Sequence, residues 1–163
     1  MSDLKRLRVS VSEQLLLGFD GAGERQLNLP VATARNGTGQ LNGSECTPLG
    51  RHRIRAKIGA DAPLNAVFVG RRQTGEVYSE QLASQHPGRD WILTRILWLC
   101  GNESGFNRGG DVDTMRRYIY LHGAPDSHPM QIPSSHGCIK LRNADIIALF
   151  DRVNVGTEVE ICE

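Results

Sequence analysis

Tyr118-Ile119-Tyr120-Leu121-His122 and Ser135-His136-Gly137-Cys138-Ile139-Lys140-Leu141 are the two stretches on which the reading of this chain turns. Residues 118–122 alternate as a half-buried strand does, so Tyr118, Tyr120 and His122 share one face. Residues 139–141 read as a second short strand that starts directly after a thiol. Two imidazoles, a thiol and a flexible glycine therefore gather where two short strands end and begin. That set suits acyl transfer: Cys138 attacks a carbonyl, a histidine takes its proton, and backbone N–H groups beside Gly137 hold the oxyanion. Gly137 allows a sharp turn and close approach of a substrate. The residues leave both His122 and His136 open as the base, and as an imidazolium either would favour the thiolate.

Outward from this pair, the first sixty residues read as strands and turns. Residues 7–11 alternate, 14–19 are apolar, and Asp20-Gly21-Ala22-Gly23 is a turn. A further strand is expected over 27–34, with Pro30 at an edge or bulge, followed by a loop over 36–50. Residues 51–58 place Arg51, Arg53, Arg55 and Lys57 on one strand face and His52, Ile54, Ala56 and Ile58 on the other. The basic face reads first as a solvated sheet face; the sharper alternative is a wall for an anionic substrate.

Residues 90–99, with Trp91, Ile92, Leu93, Ile96, Leu97, Trp98 and Leu99, have the spacing of a short amphipathic helix. With the glycine-rich loop after it, the segment 79–117 is expected to leave the sheet and wall or cover a cleft. Downstream, Asn143 is expected to cap a helix over 144–153 that presents Ile146, Leu149, Phe150 and Val153 on one stripe. A last strand is expected over 159–161. The expected fold is mainly β with one or two short helices, in a single domain over 1–163.

The balance of 19 basic against 18 acidic residues gives a net charge of +1, which provides no global field for nucleic acid. No stretch approaches the length of a membrane span. Met1-Ser2-Asp3-Leu4-Lys5-Arg6 has no apolar core or cleavage site, so a cytoplasmic protein is expected, the alternative being a periplasmic one whose leader has been removed. Cys46, Cys100, Cys138 and Cys162 are widely spaced, and a reducing compartment argues against pairing them. Cys100 is expected to be a small buried hydrophobe and Cys162 to close a strand. His122, His128, His136 and Cys138 invite a zinc reading, but the nearest pair, His136 and Cys138, would point to different sides; no metal and no cofactor is expected.

Leu121-His122-Gly123 and the run from Ser135 to Leu141 strongly resemble the signature of the L,D-transpeptidase catalytic domain, also called the YkuD domain. Thr47-Pro48-Leu49-Gly50, Asn143-Ala144-Asp145 and Gly156-Thr157-Glu158-Val159 extend the resemblance to most of the chain. It implies a β-sandwich-like fold of mixed sheets and a cysteine acyl-enzyme acting on murein stem peptides. It implies Cys138 as nucleophile, His122 as base, the Gly123 carbonyl orienting the imidazole, and His136 with Gly137 shaping the oxyanion pocket. Ser135, Lys140, Arg142 and Tyr120 are expected to contact substrate. Lys140 stands where the family usually has arginine; it keeps the charge but lacks the planar fork, and Arg142 or the Arg51/Arg53/Arg55 face could compensate.

The resemblance further implies a murein tetrapeptide as partner, cleaved between an L-centred diamino acid and D-Ala. Water as the second substrate gives an L,D-carboxypeptidase of murein recycling; an amine gives an exported, cross-linking L,D-transpeptidase. A non-catalytic murein-binding sheet domain is the reading from another class.

Overall fold

Ten strands run through one continuous mixed sheet in the computed structural model, which describes residues 3–163. In chain order they are β1 (Arg6–Ser10), β2 (Leu15–Phe19), β3 (Arg25–Pro30), β4 (Gly50–Ile58), β5 (Ala66–Val69), β6 (Arg72–Val77), β7 (Ile92–Gly101), β8 (Tyr120–Ala124), β9 (Ile139–Arg142) and β10 (Glu158–Cys162). Helix α1 (Glu80–Gln85) lies between β6 and β7, and α2 (Asn143–Phe150) follows β9 directly. The order is β3-β2-β1-β10-β4-β7-β5-β6, with β8 on β7 and β9 on β8. Past β3 the chain pairs with β9 through Ala32 and Lys140, so the sheet curls until its distant strands meet.

The curl works because β8 and β9, parallel and in register from Leu121↔Ile139 to Ala124↔Arg142, sort their residues by parity. Ile119, Leu121, Ile139 and Leu141 enter the main core beneath α2, with Ile146, Leu149 and Phe150 of that helix and Leu97 and Leu99 of β7. Tyr120 faces the other way, into a smaller cluster with Phe68, Ile96, Ile92, Trp98 and Cys138. A period-2 pattern thus delivers one set of side chains to the core and the other to a cleft.

Residues 90–99 are not helical. They form most of β7, which pairs with β4, β5 and β8. The strand is buried on both faces, so it lacks the alternation of a half-exposed strand. The register with β8 also slips between Leu93 and Ile96, where Thr94 takes φ 75°, and this bulge imitates a helical spacing. The segment 79–117 is therefore no single excursion: its centre is the hub of the sheet, and only its ends leave it.

Asn143 does not cap the helix through its side chain. It is the first helical residue, Arg142 occupies the cap, and α2 ends at Phe150. The buried Asn143 amide instead accepts from Thr94 Oγ1 at 2.6 Å and donates to Asn65 Oδ1 at 2.8 Å. On β4, Arg51 lies opposite Glu160 and Arg53 opposite Glu158, while Arg51 and Arg55 are exposed. This basic face meets water and the acids of β10, and it is not a wall of the cleft. On the other face His52 is fully buried, between the Gly50 carbonyl and Thr114 Oγ1. All four cysteines are free; Cys100 is buried and Cys162 ends β10.

Candidate active site

Cys138 sits on the floor of a cleft of about 420 Å³, at the turn that leads into β9. Gly137 holds that turn at φ 132°, where an added Cβ would stand 3.1 Å from Ile119 Cδ1 and 3.2 Å from the Cys46 carbonyl oxygen. A larger residue would meet both backbone strain and crowding there. The Ser135 hydroxyl donates to the Cys138 carbonyl at 2.6 Å and accepts from the Gly137 N–H at 3.1 Å, closing the turn from within. From outside, the Thr47 hydroxyl donates to the Gly137 carbonyl at 2.9 Å.

The sulfur lies between two backbone groups where the chain enters β8. The Tyr120 N–H donates to Sγ at 3.3 Å, and the thiol donates to the Tyr118 carbonyl at 3.3 Å. Tyr118 has φ 57°, outside regular strand geometry, so β8 begins only at Tyr120. Burial pushes the Cys138 thiol up to about 12, opposed by the Tyr120 N–H and reinforced by the Asp90 carboxylate.

His122 is buried on the cleft side of β8, with Nδ1 2.7 Å from the Gly123 carbonyl oxygen. A carbonyl only accepts, so Nδ1 carries the proton and Nε2 is left as an acceptor. Burial lowers the His122 pKa, the Gly123 hydrogen bond and Asp90 partly opposing it. Both shifts favour the uncharged forms, thiol and imidazole, over a thiolate–imidazolium pair. Gly123 has no room for a side chain: a Cβ would overlap Asn143 Oδ1 and stand 2.7 Å from the Leu93 carbonyl.

His136 occupies the rim, its side chain 65% exposed and its Nδ1 2.7 Å from Glu45 Oε1. Of the expected site residues, Cys138, His122, His136, Ser135 and Tyr120 are brought to the one cleft. Gly123 and Gly137 stand behind it as backbone supports. The Gly137 N–H is already bound to the Ser135 hydroxyl and so is engaged within the turn rather than directed to an oxyanion. Lys140 and Arg142 are not in the cleft. Lys140 is buried facing a neighbouring groove of about 430 Å³, with Nζ 3.5 Å from Ser134 Oγ, and Arg142 is exposed where β9 becomes α2.

Arg71 and Asp90 line the cleft and have no counterpart in the sequence reading. The Gly70-Arg71 pair between an apolar and a polar stretch is a signal for a tight hairpin. The direction in which that hairpin points depends on β5 docking on β7, which local sequence does not encode. Arg117 also went unsignalled. Its guanidinium donates to the Gly39, Gln40 and Cys46 carbonyls and to Ser44 Oγ, pinning the 36–50 loop beside the nucleophile turn. No group of three metal-ligating side chains converges among the described residues.

The sequence profile of the YkuD L,D-transpeptidase catalytic domain matches residues 4–161. The chain belongs to the L,D-transpeptidase catalytic domain family. Over 47 residues it is 40% identical to the probable L,D-transpeptidase YbiS and 45% identical to the probable L,D-transpeptidase ErfK/SrfK, both of Escherichia coli. Each match covers 29% of this chain and 15% of the relative. Among solved structures, L,D-transpeptidase 3 from Mycobacterium tuberculosis, in complex with a faropenem-derived adduct, has the same fold, with a TM-score of 0.58 and 16% identity. That likeness covers 97% of this chain and 60% of the other. Membership in this family implies a cysteine-dependent enzyme, and Cys138 is the one cysteine in the cleft.

Proposed function

We propose that this L,D-transpeptidase-family protein is an L,D-carboxypeptidase that trims murein tetrapeptides to tripeptides through a thioester on Cys138. The observation that carries the reading is the Cys138 thiol, held between the Tyr118 carbonyl and the Tyr120 N–H in the same cleft as an imidazole oriented by Gly123.

As Sγ attacks the carbonyl of the L-centred residue, its proton passes to His122 Nε2 and the carbonyl oxygen takes up negative charge against the Cys138 N–H. Collapse breaks the C–N bond, and the imidazolium returns the proton to the departing D-Ala nitrogen. Water, deprotonated by the same nitrogen, then cleaves the thioester and restores the thiol. Burial favours the neutral form of both Cys138 and His122, so the site need not hold a charge separation before substrate arrives.

Four free thiols suit a reducing compartment. In the cytoplasm stems released for recycling would meet water rather than the amine of a growing wall. The alternative is cross-linking, and its support is the groove along Asp90, His136 and Lys140, which could admit a second stem.

The two readings separate when purified protein is given a tetrapeptide with and without an excess of acceptor peptide or D-amino acid, and products are resolved by mass spectrometry. Tripeptide alone is expected; cross-linked dimer or exchanged peptide as the main product would overturn the choice of water. Cys138→Ala is expected to abolish turnover, and activity surviving in it would remove Cys138 as nucleophile.

A further inference from the structure

The tip of the β5–β6 hairpin is the two-residue turn Gly70-Arg71, with φ 57° and 66° and Val69 paired to Arg72. Such turns need positive φ at both central residues, which favours glycine or asparagine. An arginine there is uncommon, and its conformation costs roughly a kcal/mol. A strained residue at a cleft points to a task for its side chain.

The Arg71 guanidinium lies over two rings, 4.7 Å from the Tyr118 centroid and 4.9 Å from that of Trp98, and its Nη1 donates to Tyr120 Oη at 3.1 Å. The aromatic shelf fixes the plane of the fork while using one of its five donors. Arg71 makes no ion pair among the described residues. Among the described residues it is also the one Lys or Arg side chain lining the cleft that holds Cys138.

The thiol rests on the backbone of Tyr118 and Tyr120, and the guanidinium on their side chains. Thiol and guanidinium are therefore separated by about one tyrosine side chain. A scissile carbonyl sits ~3–3.5 Å from an attacking atom, and one further residue reaches ~3.5 Å beyond it. A peptide with one residue after the scissile bond would bring its terminal carboxylate to the fork. Asp90 lines the same cleft and is shared with the neighbouring groove, and its charge would repel that carboxylate.

We propose that Arg71 is the specificity-determining residue that receives the free C-terminal carboxylate of the departing residue and so limits cleavage to the last bond of the peptide. The inference rests on the carboxypeptidase reading, and its test is independent of turnover.

Binding of a tetrapeptide free acid and of its C-terminal amide would be measured in the Cys138→Ala background, with Arg71, Arg71→Met or Arg71→Lys. Methionine meets the same backbone requirement as arginine, so the comparison isolates the fork. The free acid is expected to bind about 10- to 100-fold more tightly than the amide, the range for a hydrogen-bonded charge. The ratio should fall close to one in Arg71→Met and partly recover in Arg71→Lys. A ratio unchanged in Arg71→Met, or near one with Arg71 present, would overturn the proposal.

A third peptide, with lysine in place of the diamino acid, removes the side-chain carboxylate. The preference is expected to persist; its disappearance would assign Arg71 to that other carboxylate and overturn the proposal. If the acid preference depends on Arg71 while the protein with Cys138 intact cleaves neither peptide, the Arg71 site stands and hydrolysis falls.

Discussion

The Cys138–His122 pair illustrates how a site's electrostatics can differ from what its composition suggests. A cysteine among histidines reads as a thiolate stabilised by an imidazolium. Here the sulfur is desolvated and faces a carbonyl and Asp90, so its ionisation is pushed up to about 12, while burial drives the imidazole's down. Two consequences are measurable. Alkylation of Cys138 by iodoacetamide, read peptide by peptide, should be at least ~100-fold slower at pH 7 than that of an ordinary thiol, and should climb about tenfold per pH unit up to pH 10. A plateau below pH 8 would instead reveal the ion pair. On the acid side, the base works as neutral imidazole, and a depressed pKa keeps it neutral below the ordinary ~6.5. The acid-side fall of kcat/KM should accordingly have its midpoint below 6.5; a midpoint at or above 6.5 would contradict the buried, oriented His122.

Among the elements, β8 and β9 were legible because each turns one face to the core and the other away from it, Tyr120 and His122 of β8 into the cleft and Lys140 of β9 toward the neighbouring groove, so alternation survives in the sequence. β7 was not legible. With both faces buried and a bulge at Thr94, its apolar residues lost the period that would mark a strand. Asn143 misled for a related reason: it has the chemistry of a cap, but tertiary contacts direct its amide to the bulge. The Thr94 hydroxyl is the centre of that arrangement, donating to Asn143 Oδ1 and accepting from the Asn65 N–H at 3.1 Å. Thr94→Val keeps the shape and the strained backbone but leaves the buried Asn143 amide and the half-buried Asn65 N–H without their partner. A loss of about 1–3 kcal/mol is expected in urea unfolding. Because Asn143 Oδ1 also abuts Gly123, the residue that orients His122, kcat should fall as well. Unchanged stability would mean that water replaces the hydroxyl and that the bulge is held by packing alone.

At the scale of the whole molecule, the nucleophile turn depends on a segment from the other end of the sheet's path. The chain leaving β3 pairs with β9 at Ala32 and with Ser135 at Ala34, then loops back through Thr47 to the Gly137 carbonyl. Arg117 joins this loop to the segment that runs through Tyr118 into β8, with four acceptors on residues 39–46. The sequence marked Thr47-Pro48-Leu49-Gly50 as familiar without giving the reason, since the partner lies 90 positions away. Arg117 was one arginine among many, its role visible only once the loop is folded over it. Arg117→Ala should therefore leave the core intact and loosen the loop. By hydrogen exchange, the Gly39 N–H, which bonds the Thr47 carbonyl, and the Thr47 N–H, which bonds the Gly37 carbonyl, should lose protection. Amides shared by β1 and β10 should not change. The Gly137 peptide would then lose its fixed orientation, so kcat should fall more than KM rises, as for a displaced oxyanion donor. If protection fell equally throughout the sheet, Arg117 would be a general stabiliser of the fold rather than the tie between loop and nucleophile.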